Sequence, residues 1–150
     1  MKHLVSQAGR SDEFEIASAA VSTEEIGNDI YPPAKRMLTS QNIPLTHHSA
    51  RQMTRADYAY YDHIICMDQS NLRWLNYIIL SDSAHKVTLL KQWLNAPIND
   101  PYGEADRMNE VNKEMVNDKM VNISDPWYTG DFEKAYNDIL QGCQALLNQL

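Results

Sequence analysis

His63-Ile64-Ile65-Cys66-Met67-Asp68-Gln69-Ser70 is the stretch that decides the fold. Its first five residues form a compact apolar run, which is typical of a strand buried on both faces of a sheet. Asp68 ends this strand, and Ser70 is suited to capping a helix. That helix carries apolar residues at helical spacing, namely Leu72, Leu75 and Ile79. The stretch therefore predicts a buried strand followed directly by an amphipathic helix.

Upstream of this stretch, helix and strand patterns also alternate. Residues 1–8 are typical of the end of a helix, which Gly9 stops because glycine readily adopts a left-handed conformation. Residues 14–20 alternate larger apolar with small or polar side chains and predict a short strand. The two prolines at 32–33 favour the first turn of a helix that ends near Asn42. This order is helix, strand, loop, helix.

Downstream, the alternation continues to the end of the sequence. Thr54 is suited to capping a short helix over residues 56–60, and residues 86–90 predict the next strand. A last helix begins at about Asp131, with its apolar residues at helical spacing: Phe132, Ala135, Tyr136, Ile139, Leu140, Cys143, Leu146 and Leu147. Strands that alternate with helices predict an α/β fold built on a parallel sheet.

Composition narrows the class of protein. The 150 residues are 43% hydrophobic and carry a formal charge of -7, which suits a single globular domain spanning residues 1–150. A chain this acidic, with no long Lys/Arg run, is not expected to bind nucleic acid. The first residues do not form the apolar core of a signal peptide, and the apolar runs are too short to span a bilayer. We therefore expect a cytoplasmic protein that binds no membrane.

Metal and cofactor sites are not indicated either. The two cysteines, Cys66 and Cys143, are too few for a disulfide framework or a cysteine-based zinc site. The five histidines show no metal-ligand spacing. We expect no metal and no cofactor.

Residues 97–124 are the least interpretable part of the sequence. They are rich in Asn, Glu, Lys and Met and contain no strand pattern. Met108, Val111 and Met115 would form one face of a short amphipathic helix, which suggests a lid or an association surface. A mobile surface loop explains the composition equally well.

Four blocks of this sequence resemble the low-molecular-weight protein-tyrosine phosphatases, and they occur in that family's order. The resemblance covers nearly the whole chain except the segment 97–124, which is longer than the family pattern. It implies a flavodoxin-like fold, with a four-stranded parallel sheet flanked by helices. The blocks are Ser18-Ala19-Ala20 through Ile26-Gly27-Asn28, His48-Ser49-Ala50-Arg51-Gln52, Ile65 through Leu72, and Asp125-Pro126-Trp127-Tyr128 followed by Asp131, Phe132, Glu133 and Tyr136.

The family's signature is a nucleophilic cysteine, five intervening residues and an arginine, and this sequence lacks it. Cys66 reaches Arg73 with six residues between, and Asp68 would repel a phosphate there. Gly9-Arg10-Ser11 matches only the end of the signature and has no cysteine before it. The resemblance thus implies an N-terminally truncated chain, with Met1 an internal methionine, in which the family's first, central strand and its phosphate loop are missing and no nucleophile remains.

Asp125 is the candidate general acid and base. In the resembled family, a carboxylic acid donates a proton to the departing phenol oxygen and then activates the water that hydrolyses a cysteinyl-phosphate. Two aspartates precede a proline and an aromatic residue, Asp100 and Asp125, but only Asp125 leads directly into the last helix. Without the resemblance, an ordinary turn aspartate explains either position.

Trp127 and Tyr128 correspond to the aromatic pair that walls the family's substrate cleft, where a ring can stack on phosphotyrosine. Partial packing in the core is the alternative, and the tyrosine is also suited to phosphorylation. The resemblance implies phosphotyrosine proteins or small aryl phosphates as partners.

His48 and Asp68 correspond to a buried hydrogen-bonded pair that supports the family's phosphate loop, with Ser22 and Asn71 as further supports. The alternatives are a surface histidine for His48 and a helix-capping aspartate for Asp68.

The function implied is phosphotyrosine monoester hydrolysis through a cysteinyl-phosphate, with this particular chain nearly inactive. The alternative is a non-catalytic protein that binds phosphotyrosine or associates with itself, because loss of a central strand exposes strand edges on which a homo-oligomer can form. Flavin-binding and receiver domains are built on similar sheets. A receiver domain would need clustered acids after its first strand, which are not seen, and flavin binding would give the protein a yellow colour. An arsenate reductase would need more cysteines.

Overall fold

The computed structural model describes residues 1–94 and 122–150. Two short 3-10 segments, Ser11–Glu13 and Leu90–Leu94, accompany the regular elements. In the described ranges the helices are α1 (Lys2–Gln7), α2 (Pro32–Ser40), α3 (Arg55–Tyr60), α4 (Gln69–Ile79), α5 (Pro126–Thr129) and α6 (Phe132–Gln149), and the strands are β1 (Ile64–Cys66) and β2 (Val87–Leu89).

The sheet is parallel, which confirms the predicted α/β class. β1 pairs with β2 in the register Ile64 with Val87 and Cys66 with Leu89, and α4 connects the two strands. A helix is the usual connection between parallel strands, because the chain must return from the end of the first strand to the beginning of the second at the opposite end of the sheet. Helices flank this small sheet, as the sequence predicts.

The strand predicted over residues 14–20 is wrong. Only Ala20 pairs with another segment, in an isolated parallel bridge to Gln52. Its amide donates to the Arg51 carbonyl at 2.8 Å, and its carbonyl accepts from the Met53 amide at 2.8 Å. A strand needs a neighbour along its whole length, and within the described residues this segment has one at a single position.

Helix capping is confirmed for α3 and corrected for α4. The Thr54 hydroxyl accepts from the Asp57 amide while the Asp57 carboxylate accepts from the Thr54 amide, a complete capping box. At α4 the cap is Asp68, whose carboxylate accepts from the Asn71 amide at 2.6 Å, and the predicted cap Ser70 lies inside the helix. Asp68 has the extended conformation that an N-cap requires, so the helix begins earlier than predicted.

Two core clusters lie on opposite faces of β1, because successive residues of a strand point to opposite sides. Ile64 packs against the first cluster, and Ile65 and Met67 pack against the second. The first core cluster consists of Met53, Cys66, Leu75, Ile79 and Leu89. The second consists of Leu90, Trp93, Ile123, Cys143 and Leu146. β1 is therefore apolar on both faces.

The capping box makes stability depend on pH. The Arg51 guanidinium holds both Asp57 oxygens, at 2.8 and 2.9 Å, and with Thr54 lowers the pKa of Asp57 from 3.8 to about 2. A lowered folded-state pKa gives stability that is present above about pH 4 and is lost as the pH falls toward 2. We expect Asp57→Asn to lower the melting temperature at pH 7 and to match the parent chain near pH 2. Asp62→Asn, at an exposed aspartate, is the control and should melt like the parent throughout.

The segment 97–124 lies outside the described residues except for its last three. The lid or loop interpretation and the alternative acid Asp100 are therefore not addressed by the structure. None of the helices in the described ranges has the combined length and apolar character that a bilayer crossing requires.

Candidate active site

An open cavity of about 280 Å³ lies at the carboxyl end of β1. One wall is the beginning of α4, and the other is the segment that leads into α5. In parallel α/β sheets this end of the strands is where ligands bind. The residues that line the cavity are Asp68, Gln69, Ser70, Arg73, Asn122, Ile123, Ser124 and Asp125.

Two hydrogen bonds fix the second wall against the first. The Ile123 amide donates to the Met67 carbonyl at 2.9 Å, just beyond β1. The Gln69 amide donates to the Asn122 side-chain oxygen at 2.9 Å. Ile123 itself is buried in the second core cluster, so Asp125 follows a firmly anchored residue.

Asp125 is exposed and caps α5. One of its carboxylate oxygens accepts from the Trp127 amide at 2.8 Å. Pro126 at the first helical position fits this start, because its fixed φ suits a helix and its missing N–H is not needed there. Among the described residues no group donates to the second oxygen.

Exposed aromatic rings follow Asp125. Trp127 is 63% exposed and Tyr128 is 85% exposed, which argues against packing in the core for either. The Trp127 ring lies 4.8 Å from the ring of Tyr31, which in turn lies 6.0 Å from that of Phe132. Sequence reasoning did not single out Tyr31, because its contact with Trp127 joins distant parts of the chain and leaves no local signal.

Two of the four residues that were predicted to support a phosphate loop contact each other in the structure. Asp68 and Asn71 are joined at the start of α4, where the Asn71 side-chain oxygen also accepts from the Met67 amide at 3.2 Å. Asp68 thus has the capping role that was the alternative. Among the described residues, His48 makes no hydrogen bond to Asp68, and Ser22 is exposed. Support of a phosphate loop by these four residues stays a prediction.

The comparisons with known proteins agree on one family. The family model described as low molecular weight phosphotyrosine protein phosphatase matches residues 1–120. The chain belongs to this family. It is 36% identical to the phosphatase of that name from Rattus norvegicus over 157 residues, covering 99% of this chain and 82% of the rat protein. It is 32% identical to the Homo sapiens protein over 152 residues, with the same coverage.

Solved structures of low-molecular-weight phosphatases have the same fold. SP-PTP from Streptococcus pyogenes is 26% identical and superposes with a TM-score of 0.73, covering 99% of this chain and 81% of that one. YfkJ from Bacillus subtilis gives a TM-score of 0.77 over 97% of this chain and 79% of that one, at 23% identity. The latter comparison supports the fold alone.

Both cysteines of this family member are free and buried. Cys66 is 6% exposed, and burial, followed by the nearby Asp68 charge, raises its pKa to about 12. A thiol with that pKa stays protonated at neutral pH and is a poor nucleophile. Cys143 is buried in the second core cluster. Within the described ranges, no three His, Cys, Asp or Glu side chains converge where a metal ion would fit.

Proposed function

We propose that the cavity at the carboxyl end of β1 receives the aryl and leaving-group side of phosphotyrosine or of a small aryl phosphate, with Asp125 as the proton donor. The observation that carries the proposal is the placement of Asp125. It lines the cavity, has one carboxylate oxygen to which no described residue donates, and is followed by the exposed ring of Trp127. A carboxylic acid here protonates the departing phenol oxygen, and the ring packs against the aryl group.

The charges that line the cavity disfavour binding of a phosphate dianion by these residues alone. Asp68 and Asp125 bring two carboxylates, and Arg73 brings one guanidinium. A phosphate dianion needs more positive charge or a loop of backbone amides to offset this repulsion. The described cavity is therefore suited to the aryl and leaving-group side of the ester more than to its phosphoryl oxygens.

We further propose that these 150 residues by themselves are nearly inactive. Neither Cys66 nor Cys143 has an arginine six positions later, where the family's signature would place it. Cys66 is also buried with a raised pKa. Loss of the nucleophile in a comparable covalent enzyme lowers kcat about a million-fold, which is the scale expected here.

The test is vanadate-sensitive hydrolysis of p-nitrophenyl phosphate by the purified chain. We expect a rate indistinguishable from the buffer blank for the parent chain and for Asp125→Asn alike. Asp131→Asn is the matched control, because Asp131 is also an exposed aspartate that caps a helix, accepting from the Lys134 amide at 2.9 Å.

Turnover by the parent chain would overturn the proposed inactivity. If that turnover were lost in Asp125→Asn and kept in Asp131→Asn, the role of Asp125 as the acid would stand. If Asp125→Asn retained full activity, the role of Asp125 would be wrong as well.

A phosphotyrosine-binding protein without turnover is the second candidate. The exposed rings of Trp127 and Tyr31 favour it, because they offer an aromatic wall that requires no nucleophile. The two candidates are distinguished by adding phosphotyrosine and measuring both tryptophan emission and hydrolysis. Quenching of the emission without detectable hydrolysis would support the second candidate. Trp127→Leu should abolish that quenching.

A further inference from the structure

Tyr31 contacts two rings that flank a turn. The centroid of its ring lies 4.8 Å from that of Trp127 and 6.0 Å from that of Phe132. Both separations are in the range over which aromatic rings attract each other. Trp127 belongs to α5 and Phe132 begins α6, and Gly130 between them has a left-handed conformation with a φ of 72°. Tyr31 therefore contacts the chain on both sides of the turn that joins α5 to α6.

The backbone around Tyr31 gives its ring a fixed base. Tyr31 is the N-cap of α2, and the proline that follows it restricts its backbone to the conformation observed, with φ of −53° and ψ of 129°. Its carbonyl accepts from the Lys35 amide at 2.9 Å, and the Lys35 ammonium forms an ion pair with Asp29 at 3.1 Å. The helix that begins here, α2, contacts α6. The ring is thus attached to a well-defined helix start.

The position of α5 depends on such a contact. It is a single turn of four residues, and an isolated helix this short is not stable in water. Its hydrogen bonds run back to Asp125. The Trp127 amide donates to the Asp125 carboxylate at 2.8 Å, and the Thr129 amide donates to the Asp125 carbonyl at 3.2 Å. Because Asp125 and Trp127 are joined in this way, a contact that fixes the Trp127 ring also fixes the carboxylate.

We propose that Tyr31 is a positioning residue for the cavity at the carboxyl end of β1. Its ring fixes the Trp127 ring, and through the Trp127 amide it fixes the Asp125 carboxylate that lines the cavity. The use of Trp127 and Asp125 toward an aryl phosphate rests on the proposed function. The series of contacts from Tyr31 to Asp125 does not depend on it.

Hydrogen exchange of the backbone amide at position 127 tests this series of contacts, because that amide is the donor to the Asp125 carboxylate. NMR saturation transfer measures such exchange on a sub-second timescale. Tyr31→Ala is expected to speed the exchange by about two- to tenfold, the factor that loss of an aromatic pair gives. Tyr31→Phe keeps the ring and should exchange like the parent chain. Tyr60→Ala is the matched control and should also leave the rate unchanged, because Tyr60 is an exposed tyrosine whose ring pairs instead with Tyr61, at 5.0 Å.

The same measurement in the Trp127→Ala background shows whether Tyr31 acts through the Trp127 ring. There, Tyr31→Ala should leave the exchange at position 127 unchanged, since the ring contact is already lost. Neither ring belongs to a core cluster, so these variants should fold. Equal acceleration by Tyr31→Ala in both backgrounds would mean that Tyr31 stabilises the fold in general, and it would overturn the proposal. An unchanged rate for Tyr31→Ala in the parent background would overturn it as well.

Binding of phosphotyrosine, followed by NMR titration, separates this proposal from the proposed function. If the parent chain binds phosphotyrosine, Tyr31→Ala should weaken the affinity by about two- to tenfold and Tyr31→Phe should not. Equal affinities for Tyr31→Ala and the parent chain would overturn the positioning role. If the parent chain binds no phosphotyrosine, the proposed use of the cavity fails, and the exchange rates at position 127 still decide whether Tyr31 positions Asp125.

Discussion

Replacing Trp93 by alanine is expected to lower the free energy of unfolding by about 3 to 5 kcal/mol. Trp93 is 1% exposed, at the centre of the second core cluster. Its indole N–H donates to the hydroxyl of the buried Thr88 at 3.0 Å, and its carbonyl accepts from the Gln149 side chain at 2.7 Å. The variant loses this apolar contact area and leaves the Thr88 hydroxyl without its donor. Small domains have a total stability of only about 5 to 15 kcal/mol, so the variant should be close to unfolding.

Urea denaturation followed by circular dichroism measures this effect. Trp74→Ala is the control, because Trp74 is 60% exposed on α4 and should change stability by less than about 1 kcal/mol. Trp93→Phe separates the loss of apolar contact from the loss of the hydrogen bond to Thr88, since it keeps most of the ring volume and removes the N–H donor. Equal midpoints for Trp93→Ala and Trp74→Ala would mean that the second core cluster does not hold the domain together.

Gly142→Val is expected to destabilise the chain toward the upper end of about 1 to 3 kcal/mol, as overpacking of a core does. Gly142 lies on α6 where that helix crosses the segment Leu90–Leu94. A Cβ atom at position 142 would stand 2.5 Å from Leu90 Cγ and 3.1 Å from both of its methyl groups. Leu90 is 1% exposed and packs in the second core cluster, so its side chain must shift within the core to admit the valine. Gln144→Val, on the exposed face of the same helix, should have little effect.

A double variant separates this clash from a general effect on the helix. Leu90→Ala alone leaves a cavity and should cost about 2 to 5 kcal/mol. Combined with Gly142→Val, the new side chain fills part of that cavity, so the pair should cost less than the sum of the two changes. The same urea titrations measure the loss in free energy of unfolding for each variant. If the loss in the double variant equalled the sum of the two single losses, positions 142 and 90 would not be in close contact.

Local patterns explain why much of the fold follows from the sequence. The continuous apolar run before Asp68 and the helical spacing after it predict β1 and α4, and both form. The capping box at Thr54 needs only residues within one helical turn, so it too is visible locally. The strand predicted at residues 14–20 is wrong because its pairing depends on a distant neighbour, which local alternation does not reveal.

In the candidate site, too, the features that depend on contacts between distant parts of the chain are not visible in the sequence. The family resemblance predicts Asp125 as the acid, but its place in the cavity depends on Ile123, whose amide donates to the Met67 carbonyl just beyond β1. The contact between Tyr31 and Trp127 and the lack of a bond between His48 and Asp68 depend on side-chain placement across the chain. Neither leaves a periodic or spacing signal.

The burial of both thiols has a practical consequence. Cys66 belongs to the first core cluster and Cys143 to the second, so each face of the sheet contains one shielded sulfur. A thiol reagent reaches either sulfur only when the surrounding side chains transiently separate. Labelling rates at Cys66 and Cys143, measured by mass spectrometry, therefore report separately how often the first and the second core cluster open. Equal rates would mean that both clusters open together, and unequal rates would identify the cluster that opens first.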